Sequence, residues 1–186
     1  MSQQSPPQLH MLWPESRQSD PLDLLPPSGY RLRTYIDADA SGYLSVMTNA
    51  GFTYVNDEFI DTWKRRVLPD GWFLIEHIAT GDLVCTAMAT HNPEPLHPYA
   101  GELGWVAGSS AHAGKGLGMA VCAAVLRRFR AAGYRRVYLK TDDWRLPAIK
   151  SYLKLGFVPF LYAPDMPERW QVVCEQLDWP ALVLGS

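Results

Sequence analysis

The chain has 186 residues and a mass of 20.9 kDa, a length that suits one domain with room for an additional segment. Hydrophobic residues make up 47% of it, so it can bury a substantial core and is not disordered as a whole. A formal net charge of −2 argues against bulk binding of nucleic acid or of an anionic membrane. No run of about 18 apolar residues predicts a membrane span, and the polar N-terminus lacks the layout of a signal peptide.

The first 28 residues hold six of the fifteen prolines, which predicts an extended N-terminal tail before a domain over residues 29–186. Within that domain, the hydrophobic spacing and the capping residues predict alternating strands and helices. In chain order, we expect a strand at 30–36, helices at about 37–50 and 57–67, strands at 72–79, 83–90 and 102–108, a helix at 117–132, a strand at 136–141, a helix at 147–155, and strands at 157–163 and 171–177.

Three of these strands precede a strand–helix–strand unit, and the turn signal Thr80-Gly81-Asp82 joins two of them as a hairpin. This order predicts a mixed α/β fold. It consists of one twisted, mostly antiparallel sheet with helices on both faces.

The three cysteines, Cys85, Cys122 and Cys174, are widely spaced and contain no CxxC pair. Their spacing argues against a zinc or redox site, so we expect inert core thiols and no metal. A reducing, cytoplasmic location is the corresponding expectation.

Charge is distributed unevenly along the chain. Residues 115–154 contain ten Lys and Arg but only two Asp, although the whole chain is slightly acidic. A local basic region of this kind favours a small polyanionic ligand over a nucleic-acid lattice.

The most specific motif is a glycine-dense loop, Gly114-Lys115-Gly116-Leu117-Gly118, between a predicted strand and a predicted helix. Backbone N–H groups at a helix N-terminus bind anions, and glycines let the anion approach the backbone closely. Neither common nucleotide motif fits. The dinucleotide pattern would need glycine at Met119, and the Walker A pattern would need glycine at Ser109 and Ser or Thr at Gly116.

The loop resembles the acyl-CoA loop of the GCN5-related N-acetyltransferase (GNAT) family, Arg/Gln-x-x-Gly-x-Gly/Ala, except that Ala113 replaces Arg or Gln. The family's later segment has an Asn, an Ala-Ile pair, a Tyr and a Gly-Phe. This chain matches it at every position but the first, where Arg145 replaces Asn; the matching residues are Ala148, Ile149, Tyr152, Gly156 and Phe157. The resemblance covers about residues 30–163 and implies the GNAT acyl-CoA N-acyltransferase fold.

The resemblance also implies where acetyl-CoA, the co-substrate, is held. Backbone groups of three residues before the loop would pair with the pantetheine amides; they are Trp105, Val106 and Ala107. The loop from Ala113 to Met119 would hold the pyrophosphate through its N–H groups, with Lys115 adding a charge. Arg145 would contact the phosphate or the pantetheine arm.

For chemistry, the resemblance implies direct attack of an amine on the thioester. Tyr152 occupies the position of the family's thiolate-protonating tyrosine, and a phenol is a suitable proton donor to a forming thiolate. Glu102 lies where the histone-acetyltransferase branch carries its basic glutamate; His91 and His97 are alternative bases. The backbone N–H of Val106 is the expected oxyanion donor.

We therefore predict an N-acetyltransferase acting on a primary amine of a small molecule or peptide. The alternative is a non-catalytic acyl-CoA-binding module on the same fold. Aromatic residues are candidate acceptor walls (Tyr35, Phe52, Tyr54, Trp63, Trp72, Tyr99 and Trp105), and five acids are a candidate acidic lip for a cationic amine (Asp57, Glu58, Asp61, Glu76 and Glu94). Dimerisation is common in the family, and a homodimer is an expectation that no motif tests.

Overall fold

The computed structural model describes residues 6–180. Over this range the chain forms seven strands and five α-helices, in the order β1 (Leu9–Trp13), β2 (Tyr30–Thr34), α1 (Ala40–Asn49), α2 (Asp57–Lys64), β3 (Val67–His77), β4 (Leu83–Thr90), β5 (Gly101–Gly108), α3 (Leu117–Ala131), β6 (Val137–Thr141), α4 (Leu146–Lys154), β7 (Val158–Phe160) and α5 (Met166–Leu177).

One sheet contains all seven strands in the order β2-β3-β4-β5-β6-β1-β7. Every neighbouring pair is antiparallel except β5 and β6, which are parallel. A parallel pair needs a crossover connection, and α3 supplies it. The mixed, mostly antiparallel sheet expected from the sequence is confirmed.

The segment predicted as an N-terminal tail contributes an internal strand to this sheet, beside the edge strand β7. Residues 9–13 form β1, which pairs with β6 on one side and β7 on the other. Leu9, Met11 and Trp13 are buried. The prediction of an extended tail is therefore wrong for this strand, because a high proline content nearby concealed a five-residue segment that completes the core.

Two other predictions need correction. Residues 171–177, expected as a strand, belong to helix α5, which begins with Pro167 in its first turn and buries Met166 and Trp170. Residues 69–71, which lie between the helix expected at 57–67 and the strand expected at 72–79, belong to β3, where the pairing with β4 is interrupted between Val67 and Trp72. Proline is tolerated in strands at such irregularities.

The sheet buries a core on each face. The larger core lies under α3, α4 and α5, and α3 contributes eight buried residues to it. The smaller core packs α1 and α2 against β3 and β4 around Tyr43, Trp72 and Met88. Within residues 6–180, no helix is long and apolar enough to cross a membrane.

The parallel strands β5 and β6 part soon after they meet. They pair only at Gly101–Val137 and Glu102–Tyr138, although β5 continues to Gly108. From Leu103 onward, the edge of β5 that faces β6 has no strand partner in the described sheet. This separation opens a gap in the middle of the sheet.

We expect Trp13→Ala to destabilise the fold by about 3–5 kcal/mol, because it empties a buried site and removes the hydrogen bond from Trp13 Nε1 to the Leu155 carbonyl. Trp144→Ala, at a side chain that is 69% exposed, is the matched control and should cost less than about 1 kcal/mol. Urea unfolding measures both. Equal effects would contradict the placement of β1 in the core.

Candidate active site

A cavity of about 310 Å³ occupies the gap between β5 and β6. Residues 102–106 of β5 line one wall, and Lys140 and Thr141 of β6 line another. The start and the middle of α4 close one side through Arg145 and Tyr152. The separation of the two strands thus brings sequence-distant polar groups into one space.

A bulge in β5 shapes the cavity wall. Between Thr86 and Met88 of β4, β5 contains one more residue than its partner requires, and Trp105 there has φ +54°. A positive φ is uncommon and strained for a bulky residue, and such bulges re-aim side chains beside functional sites. Here the bulge directs Trp105 into a cluster with Phe59 and Trp63, with ring centroids 4.5 and 5.0 Å away.

Glu102 lies in the cavity wall with only 7% of its surface exposed. Burial raises the pKa of its carboxyl, the positive charge of Lys140 and a hydrogen bond from Asn92 oppose this rise, and Glu94 adds to it. Asn92 Nδ2 donates to Glu102 Oε2 at 2.6 Å, and Lys140 Nζ lies 3.7 Å from Oε1. The carboxylate is therefore positioned and nearly desolvated, with a raised proton affinity.

Tyr152 reaches the same cavity from α4 and is 5% exposed. Burial raises its pKa well above the usual value, the Cys122 thiol adds to the effect, and Arg145 opposes it. No side chain or carbonyl of residues 6–180 accepts or donates a hydrogen bond at its hydroxyl. At neutral pH the phenol is thus protonated and has a proton to donate within the cavity.

The glycine loop meets the N-terminus of α3 with its backbone N–H groups free. From Gly114 to Met119, none of these groups has a hydrogen-bond acceptor in the part of the chain that the structure describes. Gly114 and Gly116 both have φ +75°, a conformation that glycine adopts at no steric cost. A Cβ atom built on Gly114, Gly116 or Gly118 meets nothing within 4 Å, so the surface above the loop is open to a ligand. Free N–H groups at a helix N-terminus are the donors that a backbone anion site requires.

Lys115 and Arg145, which were expected from sequence to contact acetyl-CoA, both have partners within the protein. Lys115 Nζ donates to the Tyr30 hydroxyl at 2.8 Å, and the same hydroxyl contacts His112 Nδ1. Arg145 Nε donates to Asp142 at 3.0 Å, and its guanidinium covers the Phe52 ring at 4.6 Å. Arg145 lines the cavity, whereas Lys115 does not.

The histidines considered as alternative bases lie outside the cavity wall. His91 is exposed, with Nδ1 2.8 Å from the Tyr134 hydroxyl. His97 is buried and contacts His10 at 2.8 Å, and burial lowers its pKa. Of the three candidates, only Glu102 shares the cavity with Tyr152.

Of the aromatic residues expected from sequence to form the acceptor walls, some line the cavity and others do not. Phe52, Tyr54, Trp63 and Trp105 line the cavity. Tyr35 and Trp72 instead stack on one another at 4.2 Å in the smaller core, and Tyr99 is exposed away from the cavity.

The expected acidic lip does not form. None of the five acids lines the cavity, and two of them have basic partners: Glu76 pairs with Arg31 and Arg33, and Glu94 pairs with Lys140. Spacing along the chain does not reveal which charges have partners or which face the cavity, so that interpretation included two neutralised carboxylates and three that lie elsewhere.

Six polar residues of the cavity wall were not singled out from sequence: Gln8, Arg66, Asn92, Lys140, Thr141 and Asp142. Thr141 Oγ1 is buried and lacks a hydrogen-bond partner within residues 6–180. None of the six belongs to a motif, and only the pairing of β6 beside β5 brings Lys140 to Glu102. No cluster of three or more metal-ligating side chains occurs in the same part of the chain.

The model of the Acetyltransferase (GNAT) family matches residues 32–157. Among curated proteins, the chain is 30% identical over 147 residues to a mycothiol acetyltransferase of Nocardia farcinica, with 74% of this chain and 48% of the relative covered. The chain thus spans about half the length of the curated relatives it matches.

Solved structures show the same fold. A GCN5-related N-acetyltransferase from Sphaerobacter thermophilus aligns with a TM-score of 0.61 and 20% identity, over 83% of this chain and 50% of that one. A tandem GNAT protein from the clavulanic acid biosynthesis pathway aligns with a TM-score of 0.65 and 19% identity, over 84% and 51%. Both chains are about twice as long as the region they share with this one.

Proposed function

This chain belongs to the GNAT acetyltransferase family, and on that premise we propose that it transfers an acetyl group from acetyl-CoA to a primary amine. The observation that carries the proposal is the shared cavity of Glu102 and Tyr152, which lies along the open edge of β5. That edge leads toward the loop whose N–H groups from Gly114 to Met119 are free. One extended ligand can thus contact both features.

In the donor complex that we propose, the loop N–H groups hold the CoA pyrophosphate. Its negative charge is stabilised by the backbone dipoles at the start of α3. Backbone groups of Trp105 and Val106 pair with the pantetheine amides, since β6 has left this edge unpaired. Ala107, expected from sequence to join them, pairs with Thr86 of β4 and does not line the cavity. Arg145 contacts the pantetheine arm from the α4 side of the cavity.

The reaction needs an unprotonated amine, a stabilised oxyanion and a proton for the leaving thiolate. Glu102 takes a proton from the bound ammonium, a role that its buried position and raised pKa support. The amine nitrogen then bonds to the thioester carbonyl carbon, and the Val106 N–H stabilises the oxyanion. Tyr152 gives its proton to the CoA thiolate as the carbon–sulfur bond breaks, and the extra proton on the attacking nitrogen leaves to restore the Tyr152 hydroxyl. Glu102 releases the proton it took to solvent.

Family membership also supports an amine as the acceptor. An amine acceptor is general to this family, and the relative at 30% identity is named for acetyl transfer. Four aromatic rings line part of this cavity of about 310 Å³, and its size supports a small molecule over a folded protein as the acceptor.

The direct test is free-thiol release from acetyl-CoA in the presence of amines, with desulfo-CoA binding measured by calorimetry. We expect Gly118→Leu to weaken desulfo-CoA binding at least about tenfold, because its side chain enters the open space above the loop. Gly118 suits this test better than Gly116, whose positive φ would strain any replacement. Ala131→Leu, at the exposed far end of α3, is the control and should bind normally. Unchanged affinity in Gly118→Leu would contradict the anion site, and tight binding without turnover on any amine would favour a non-catalytic CoA-binding module.

We expect Tyr152→Phe to lower kcat about 10²- to 10⁴-fold, the usual contribution of a general acid, and to leave desulfo-CoA affinity within about twofold. The variant keeps the ring packing and removes only the hydroxyl. Tyr134→Phe, whose hydroxyl contacts His91 outside the cavity, is the matched control. Parallel loss of turnover and affinity, or no loss, would count against the proton-donor role.

The raised pKa of Glu102 leads us to expect a characteristic dependence of kcat/KM on pH. Because its pKa is raised, the carboxylate is lost as pH falls through that raised value, so kcat/KM should decline on the acid side at a higher pH than an ordinary glutamate would give. Glu102→Gln should lower kcat/KM and remove this acid limb. Glu94→Gln is the control: it removes a charge that raises the Glu102 pKa, so activity should persist with the limb moved to lower pH. An acid limb that survives in Glu102→Gln would assign the base elsewhere.

A further inference from the structure

The cavity wall carries more basic than acidic side chains. Its acids are Glu102 and Asp142, whereas its bases are Arg66, Lys140 and Arg145. Lys140 contacts Glu102 and also pairs with Glu94 behind the wall, and Arg145 pairs with Asp142. Arg66 has no carboxylate within 4.0 Å among residues 6–180. The cavity therefore carries an unneutralised guanidinium.

Contacts within the protein position the Arg66 side chain at the cavity rim and leave it accessible to solvent. Its backbone follows α2, and its guanidinium covers the Trp63 ring at 5.4 Å. Its Nη1 atom donates to Asn92 Oδ1 at 3.1 Å, and the side chain remains exposed. These contacts fix its direction while its other N–H groups stay free, and a planar guanidinium with free N–H groups suits a carboxylate.

Asn92 links this cation to the expected base. Its amide oxygen accepts from Arg66, and its amide nitrogen donates to Glu102. Arg66 and Glu102 are thus separated by the width of one side-chain amide. A single small ligand can place an ammonium against Glu102 and an anionic group against Arg66.

Aromatic rings form the remaining wall on this side. Trp63 and Trp105 meet at 5.0 Å, and Phe52 and Tyr54 each lie against Trp105, at 5.9 and 6.4 Å. Tyr54 is 63% exposed, so its ring is available to a ligand. Such a wall favours an aromatic or large apolar body, through apolar burial and ring-to-ring contact.

We propose that the amine acceptor is a monoamine that carries a carboxylate a few bonds from its nitrogen and an aromatic or large apolar body, as in a hydrophobic amino acid. This inference rests on the proposed function and assigns the substrate class of the same cavity. A polyamine or aminosugar is disfavoured, since every acidic side chain of the wall already has a cationic or amide partner and Arg66 would repel a second positive charge.

The test compares acceptors that differ only in the carboxylate: L-tryptophan with tryptamine, and L-tyrosine with tyramine, with spermidine as the polycation. We expect kcat/KM for thiol release to be at least about tenfold higher for each amino acid than for its decarboxylated partner. Arg66→Gln should remove this preference by lowering the amino-acid value and leaving the amine value nearly unchanged. Arg66→Lys should restore part of it, and Arg65→Gln, at the neighbouring exposed arginine outside the cavity, should behave as the unsubstituted protein.

Calorimetric titration of the same compounds into the protein saturated with desulfo-CoA separates this inference from the proposed function. Carboxylate-dependent binding that Arg66→Gln abolishes supports the inference, and if it occurs without turnover, the proposed catalysis alone fails. Equal or tighter binding of the decarboxylated amines, preference for spermidine, or binding of none of these compounds would overturn the inference.

Discussion

The early parting of β5 and β6 is the constraint on which the site depends. A parallel pair that stayed together would fill the middle of the sheet and satisfy the inner edge of β5 with β6. Pairing ends instead after Glu102 and Tyr138, and the bulge at Trp105 turns β5 further along its length. On its other side β6 is held by β1, so the gap is fixed by the sheet on both sides. A cavity, an open backbone edge and a buried carboxylate all follow from this one irregularity.

The charged groups of the cavity depend on the same meeting of β5, β6 and the loop between β4 and β5. Lys140 on β6 contacts Glu102 on β5 and pairs with Glu94 in the loop between β4 and β5. Its positive charge therefore balances two carboxylates across the gap. Asn92 from that loop bonds both Glu102 and Arg66. Tyr138 holds the loop by donating to the Asn92 carbonyl at 2.6 Å. The position of the proposed base therefore depends on groups from β5, β6 and the loop between β4 and β5 together.

The sequence predicted the fold class, most element positions and the glycine loop, because these features depend on local periodicity and on backbone conformations that glycine alone favours. It also singled out Glu102 and Tyr152, and both line one cavity in the structure. It missed β1 and took α5 for a strand, since a short strand among prolines and a helix with mixed burial give weak local signals. Arg66, Asn92 and Lys140 were missed for a different reason: their proximity to Glu102 arises only from tertiary pairing, which no spacing along the chain encodes.

If the open edge of β5 binds the donor, the amides on that edge should lose contact with solvent when the donor is bound. Amide hydrogen exchange of Leu103, Trp105 and Val106, measured with and without desulfo-CoA, tests this most directly. We expect the amides on this edge and those from Gly114 to Met119 to become protected together when desulfo-CoA binds, while α5 is unchanged. Protection of the loop without the β5 edge, or of neither, would contradict it.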